Sequence, residues 1–125
     1  MTEEIGEYIW LIPDAYLPPY GDPELPSHES TCILNANKKS ARVKFTFYFE
    51  DEDPIESNEI EIPPERTLHV RLDKAKEILG VELRTNVPFA IKVESDTRIV
   101  VQHSRMDTRR ANLAYMTSMG YPVRI

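Results

Sequence analysis

Three histidines in this chain stand in polar clusters: Ser27-His28-Glu29, His69-Val70-Arg71 and Gln102-His103-Ser104-Arg105. Two of the clusters open the same pattern, His-x-Arg-apolar-Asp, at His69–Asp73 and again at His103–Asp107. Arginine offers a rigid planar fork of donors for carboxylate or phosphate, and a nearby imidazole adds a donor or an acceptor. The clusters therefore suit an anionic or hydroxyl-rich ligand. The plainer alternative is that Arg71 and Arg105 pair with Asp73, Asp107 or Glu29 and tie strand ends together. A metal site fits the pattern poorly, because His-x-His and His-Glu-x-x-His spacings are missing and arginine charge nearby opposes a cation. Neither a metal nor another cofactor is expected. Nucleophilic catalysis finds little support either. Ser27-His28 and His103-Ser104 are adjacent pairs, and adjacent side chains on a strand point to opposite faces. Cys32 lies in the apolar run Cys32-Ile33-Leu34 and reads as a buried, inert thiol of a reducing compartment. The four glycines are isolated and build no phosphate-cradling loop. The expectation is a protein that is not an enzyme. Trp10 and Tyr16, with Tyr20, serve either as a stacking platform for a sugar ring or as staples of core and loop.

The elements that must position these groups read as short strands. His103 and Arg105 end the stretch Arg98–Asp107, which opens with Ile99, Val100 and Val101; Ile99, Val101, His103 and Arg105 share one face, and Val100, Gln102, Ser104 and Met106 the other. Ser95-Asp96-Thr97 reads as a tight turn into it, after a strand Phe89–Val93. Thr67–Leu72 is expected to bury Leu68, Val70 and Leu72 and to turn Thr67, His69 and Arg71 outward. Asp73 then caps one short helix, Lys74–Leu79, stopped by Gly80. Ala41–Phe49 alternates most clearly, with Val43, Phe45, Phe47 and Phe49 against Lys44, Thr46 and Tyr48. Further strands are Glu7–Ile12, ended by Pro13, then Ser30–Asn35, Asn58–Ile62 and a closing one within Leu113–Tyr121. Thr108-Arg109-Arg110 is a basic loop. Pro13–Ser27 holds five prolines and Gly21, too many breakers for a helix or central strand, and is either a functional loop or a crossover between sheets. About eight strands with one helical turn predict an all-β fold, an antiparallel β-sandwich of jelly-roll type, as a single domain over 1–125.

The whole chain sets outer bounds. Its 125 residues, 41% hydrophobic and 29% charged, suit one packed core. A net charge of −6 argues against coating nucleic acid or anionic lipid, which leaves DNA only the patch Arg98, Arg105, Arg109 and Arg110. The acidic start Met1-Thr2-Glu3-Glu4 is followed by no apolar signal segment, and no apolar run approaches a membrane span. A cytoplasmic location is expected.

Several motifs in order carry a likeness. Trp10 followed by Pro13-Asp14-Ala15-Tyr16-Leu17-Pro18, then Pro26–Ser30, Leu68–Asp73 and Val100–Asp107, resemble the sensory rhodopsin transducer family over nearly the whole chain. The resemblance implies a small cytoplasmic all-β sandwich that assembles as a cyclic homotetramer. It also implies a partner on the cytoplasmic side of a membrane photoreceptor, with links to gene regulation, and for some members a small, sugar-like ligand. One departure concerns Asn86-Val87-Pro88, which lies a strand earlier than in the family pattern, so the turn before Val100 is expected to differ.

Three readings follow. The first is a non-enzymatic signalling adaptor that binds a protein partner or small ligand through polar strand ends. The ligand set would be Ser27, His28, Glu29, His69, Arg71, Gln102, His103, Arg105 and Asp107, with Trp10 and Tyr16. The second is a carbohydrate- or anion-binding domain using the same residues, and the third a metal-dependent, cupin-like enzyme using the histidines.

Overall fold

The computed structural model describes residues 4–109 and 114–125. Nine strands run in chain order: β1 Glu7–Ala15, β2 His28–Asn35, β3 Ala41–Phe49, β4 Ile55–Glu56, β5 Ile60–Ile62, β6 Arg66–Arg71, β7 Phe89–Asp107, β8 Ala114–Met119 and β9 Tyr121–Val123. One short helix, α1 Ala75–Leu79, sits between β6 and β7. All strand pairings are antiparallel, and the molecule is an all-β sandwich.

The long strand β7 organises both layers. Its first half pairs with β3 on one side and β1 on the other, and β4 with β5 and β9 extend that sheet at its two ends. Its second half pairs with β2 and β8, and β6 completes the second sheet as β6-β2-β7-β8. Between the layers lies one apolar core that includes Val43, Phe45, Phe47, Ile33, Ile91, Val93, Ile99 and Val101, all at most 1% exposed. The alternation read in β3 explains its share: the ring of Phe47 stacks near Phe45 and meets Phe89 edge-on at 5.8 Å.

Four expectations need correction. Ser95-Asp96-Thr97 does not separate two strands, because β7 runs through it for 19 residues. Between Glu7↔Ile99 and Ile9↔Glu94 the register slips, so β7 carries extra residues as a bulge. The polar side chains serve that bulge: Thr97 Oγ1 donates to Ser40 O at 3.0 Å and Asp96 Oδ1 accepts from Arg42 N at 2.9 Å. The bulge bends β7 from one sheet into the other. Pro13 likewise does not end β1, which continues to Ala15 across a second irregularity where an exposed proline costs no ladder bond.

Asp73 does not cap the helix. A 3-10 turn, Leu72–Lys74, leads into α1, and the Asp73 carboxylate is taken by Arg71. Gly80 does stop the helix, at φ 73°, with its N–H on the carbonyls of Ala75 and Lys76. Leu68 is half-exposed rather than buried, because β6 is the sheet's edge; Val70 and Leu72 are buried as expected. The closing strand is observed as β8 and β9, while Leu113 and Arg110 lie outside the described residues.

Candidate functional site

The register of β2 against β7 builds the one buried charged cluster among the described residues. Glu29 lies opposite Arg105 and Thr31 opposite His103, so all four side chains face inward from two neighbouring strands. Glu29 is fully buried and its two oxygens take three donors. Oε1 lies 2.5 Å from His103 Nε2, while Oε2 accepts from Arg105 Nε at 2.7 Å and from the Tyr16 backbone N–H at 2.8 Å. A carboxylate only accepts, so the proton of that imidazole contact sits on Nε2. Nδ1 then meets the Thr31 hydroxyl at 3.2 Å. Both nitrogens of His103 are thus engaged, and so are both oxygens of Glu29.

Arg105 stacks its guanidinium on the Tyr16 ring, 4.4 Å from the centroid. Its Nη2 is buried and has no hydrogen-bond partner among the described residues. The cause is local: an arginine fork usually grips both oxygens of one carboxylate, but His103 holds the second oxygen of Glu29. Tyr16 also ties the cluster to its rim. Its hydroxyl accepts from Arg109 Nη2 at 3.3 Å, and Arg109 grips Asp107 at 2.6 Å. Hydrogen bonds from Arg109 hold the Asp107 carboxyl below the usual aspartate range, and the same pairing raises Arg109. Alongside, Ser27 Oγ accepts from Thr108 N at 2.8 Å and meets the Thr108 hydroxyl at 3.1 Å.

The long loop from Pro13 to Ser27 is therefore anchored by the site at both ends. Tyr16 N–H rests on Glu29, Ser27 rests on Thr108, and in between Leu17 O accepts from Asn86 N at 2.7 Å.

The expected ligand set separates into two groups. Glu29, His103, Arg105 and Tyr16 come together, with Ser27 and Asp107 at the rim. His28, His69, Arg71, Gln102 and Trp10 do not join them. His28 is half-buried on the other face of β2, with Nδ1 3.1 Å from Pro26 O. His69 is exposed on edge strand β6, opposite Cys32. Arg71 is spent on Asp73 through two 2.8 Å bonds, the plainer alternative for that residue. Gln102 faces outward and bonds the Thr117 hydroxyl. Trp10 is core: its indole N–H donates to Ile99 O at 2.9 Å, and only 6% of the residue is exposed, which removes it as a sugar platform. Thr31 and Thr108 complete the cluster without having been singled out, and Arg109, read as part of a basic patch, joins its rim through Tyr16 and Asp107. Thr31 stood two residues from Glu29 on a strand, a spacing that already placed it on the same face.

Among the described residues no group of three or more His, Cys, Asp and Glu side chains is arranged to hold a metal ion, and no helix is long and apolar enough to cross a membrane.

A second feature lies beyond the cluster. Every residue of β8 is exposed, and the strand pairs only with β7. Tyr115, Met119 and, on β9, Tyr121 are each more than 60% exposed. This edge carries large apolar side chains that no described residue covers.

Comparisons with known proteins agree with this architecture. No curated protein matches the chain. A solved structure from Thermotoga maritima, designated 1070, superposes with a TM-score of 0.85 at 37% identity, covering 94% of this chain and 96% of that one. The Anabaena sensory rhodopsin transducer superposes with a TM-score of 0.72 at 35% identity, over 82% of this chain and 97% of its own. The family model described as Anabaena sensory rhodopsin transducer matches residues 5–122, and the chain belongs to that family.

Proposed function

We propose that this transducer-family protein is a non-enzymatic, cytoplasmic signalling adaptor that works as a homotetramer and passes its signal by contact with a protein partner. The family's name points to a membrane photoreceptor of the sensory rhodopsin kind as that partner. The observation that carries the reading is the β8–β9 edge, an uncharged, tyrosine- and methionine-rich strip left uncovered in a chain whose core is otherwise closed. Uncovered apolar strips of this kind mark association surfaces, and open strand edges invite pairing.

The buried cluster supports the non-enzymatic half of the reading. A general base needs a free lone pair within reach of a substrate proton. His103 has both ring nitrogens occupied and Glu29 both oxygens, so the cluster's bonds are directed at one another and at the Tyr16 loop. Its work on this reading is to hold the loop and the strand ends in place.

Light scattering at micromolar concentration tests the proposal. A species of four chain masses is expected, and a single chain mass would overturn the assembly reading.

One observation keeps a second reading in view, a small oxyanion bound at the strand ends. Arg105 Nη2 has a proton to donate and no acceptor for it among the described residues. A thermal-shift series with acetate, sulfate and phosphate decides between the two. A melting temperature that rises with one of these anions in the wild type and not in Arg105→Lys would favour the oxyanion site.

A further inference from the structure

The guanidinium of Arg105 makes a single hydrogen bond to the described residues, from Nε to Glu29 at 2.7 Å. Nη2 is buried without an acceptor among those residues. The outer fork, Nη1 with Nη2, is thus unused, and native interiors rarely leave a charged donor in that condition. The side chain is 17% exposed, so the fork lies just beneath the surface.

The group stacked on this guanidinium belongs to a loop. Tyr16, from the Pro13–Ser27 loop, lies with its ring centroid 4.4 Å from the guanidinium carbon. Two contacts hold it there: its N–H on Glu29 at 2.8 Å and its hydroxyl beneath Arg109 Nη2 at 3.3 Å. The far end of the loop is tied separately, through Asp22 N–H and Ser27 Oγ to Thr108. Tyr16 can therefore lift while Ser27 stays in place.

Charge around the fork is balanced, with Arg105 on Glu29 and Arg109 on Asp107. A site without surplus positive charge favours a monoanion over a sulfate or phosphate dianion, and a planar fork matches the two oxygens of a carboxylate. We propose that the outer fork of Arg105 binds a small monocarboxylate, that Tyr16 is its cover, and that the ligand opens the loop by replacing the ring. The assignment rests on the oxyanion reading given above and names its ligand class and its consequence. With the loop closed, Nη2 has an aromatic face and no acceptor. With the loop open, the carboxylate accepts two charge-assisted hydrogen bonds. The ligand thus shifts the population toward the open loop. Glu29 keeps His103 and Arg105 Nε throughout, so the strand ends stay paired.

The probe is sodium acetate against sodium chloride at equal ionic strength, with sodium sulfate as the dianion. Hydrogen exchange of the wild-type chain, followed by mass spectrometry, reads the loop. Acetate is expected to speed exchange over residues 14–20 severalfold and to leave β3 unchanged. Arg105→Lys keeps a charge beside Glu29 and loses the planar fork, so acetate should no longer speed the loop. Tyr16→Ala removes the cover. Acetate should then raise the melting temperature at a severalfold lower concentration than in wild type, because none of the free population is held closed. A tyrosine that helped to grip the ligand would give the opposite change and overturn the proposal. Acetate that raises the melting temperature of wild type and not of Arg105→Lys, without faster loop exchange, would overturn the moving cover and leave the oxyanion reading standing. Sulfate acting as strongly as acetate would overturn the monocarboxylate. No response to acetate in wild type or in Tyr16→Ala removes both readings. The wild-type exchange measurement decides the matter even where a variant does not fold.

Discussion

Replacing Glu29 by glutamine asks how much of the fold depends on the buried carboxylate. The amide keeps the shape and can be accommodated sterically. Its oxygen can still accept from Arg105 Nε and the Tyr16 N–H, and its NH2 can face His103 if the imidazole changes tautomer and donates to Thr31 instead. What cannot be replaced is the charge. Arg105 is mostly buried, and Glu29 is the one acid that meets it among the described residues. Breaking a buried pair by removing one partner costs roughly 3–5 kcal/mol, and the remaining solvent exposure of Arg105 brings the expectation to about 3 kcal/mol. For a domain of this length that is a fall in melting temperature on the order of 10 °C. Urea unfolding followed by fluorescence reads it, since Trp10 is the sole tryptophan and is buried. Arg105→Met should cost at least as much, because it strands a fully buried carboxylate. The double variant should be milder than the sum by about 2 kcal/mol, the coupling of the pair. A Glu29→Gln loss below about 1 kcal/mol, or additivity in the cycle, would refute the reasoning.

Two of the three glycines with positive φ should differ in tolerance. An added Cβ at Gly6, φ +107°, meets the Ile99 carbonyl oxygen at 2.2 Å, and backbone cannot step aside; at Gly80, φ +73°, it meets the Asn58 side chain at 2.4 Å, which can swing. Gly80→Ala should therefore cost about 1–2 kcal/mol and Gly6→Ala more, measured by urea unfolding; the reverse order would contradict the geometry. Burial pushes the Cys32 thiol up, against a smaller opposing effect of its hydrogen bond with Ser104. Its reaction with a disulfide reagent at pH 8 should run about tenfold slower in the folded protein than in urea, and equal rates would show an open thiol. Asp107 is held below its ordinary range by Arg109, so its contribution to stability is present above the unfolded aspartate value and is lost as pH falls through the folded one. Asp107→Asn should thus be less stable than wild type at pH 7 and converge on it as the pH falls below the ordinary aspartate range, and a gap that stays constant down to acid would assign the loss to something other than charge.

Much of the fold was legible because alternation is a local property. Val43, Phe45 and Phe47 declare an inward face within seven residues of β3, and Gly80 declares a helix stop by itself. The bend of β7 was not legible. Ser-Asp-Thr has the chemistry of a tight turn, and only the extra residues facing β1 and the bond to Ser40 show that the chain carries on. The site was half legible for a similar reason. That His103 and Arg105 share a face follows from their spacing, and Glu29 was one of three acids that could meet Arg105, but nothing in His28-Glu29-Ser30 marks it as buried. Its burial depends on β2 lying beside β7 in one register, a pairing 76 residues apart in sequence. Arg71 repeats the same motif and has a different fate, because β6 is an edge and Asp73 is within reach. Edge position is set by sheet order, which also explains why neither the exposure of Leu68 nor that of β8 could be read from their residues.

The claim on which the account turns is that the β8–β9 edge is covered when the protein works. Hydrogen exchange followed by mass spectrometry over residues 114–123 tests it directly, at a micromolar concentration and after dilution to the low nanomolar range. The account predicts slower exchange of this segment in the concentrated sample while β3 exchanges alike in both. Equal exchange of 114–123 at the two concentrations would contradict it.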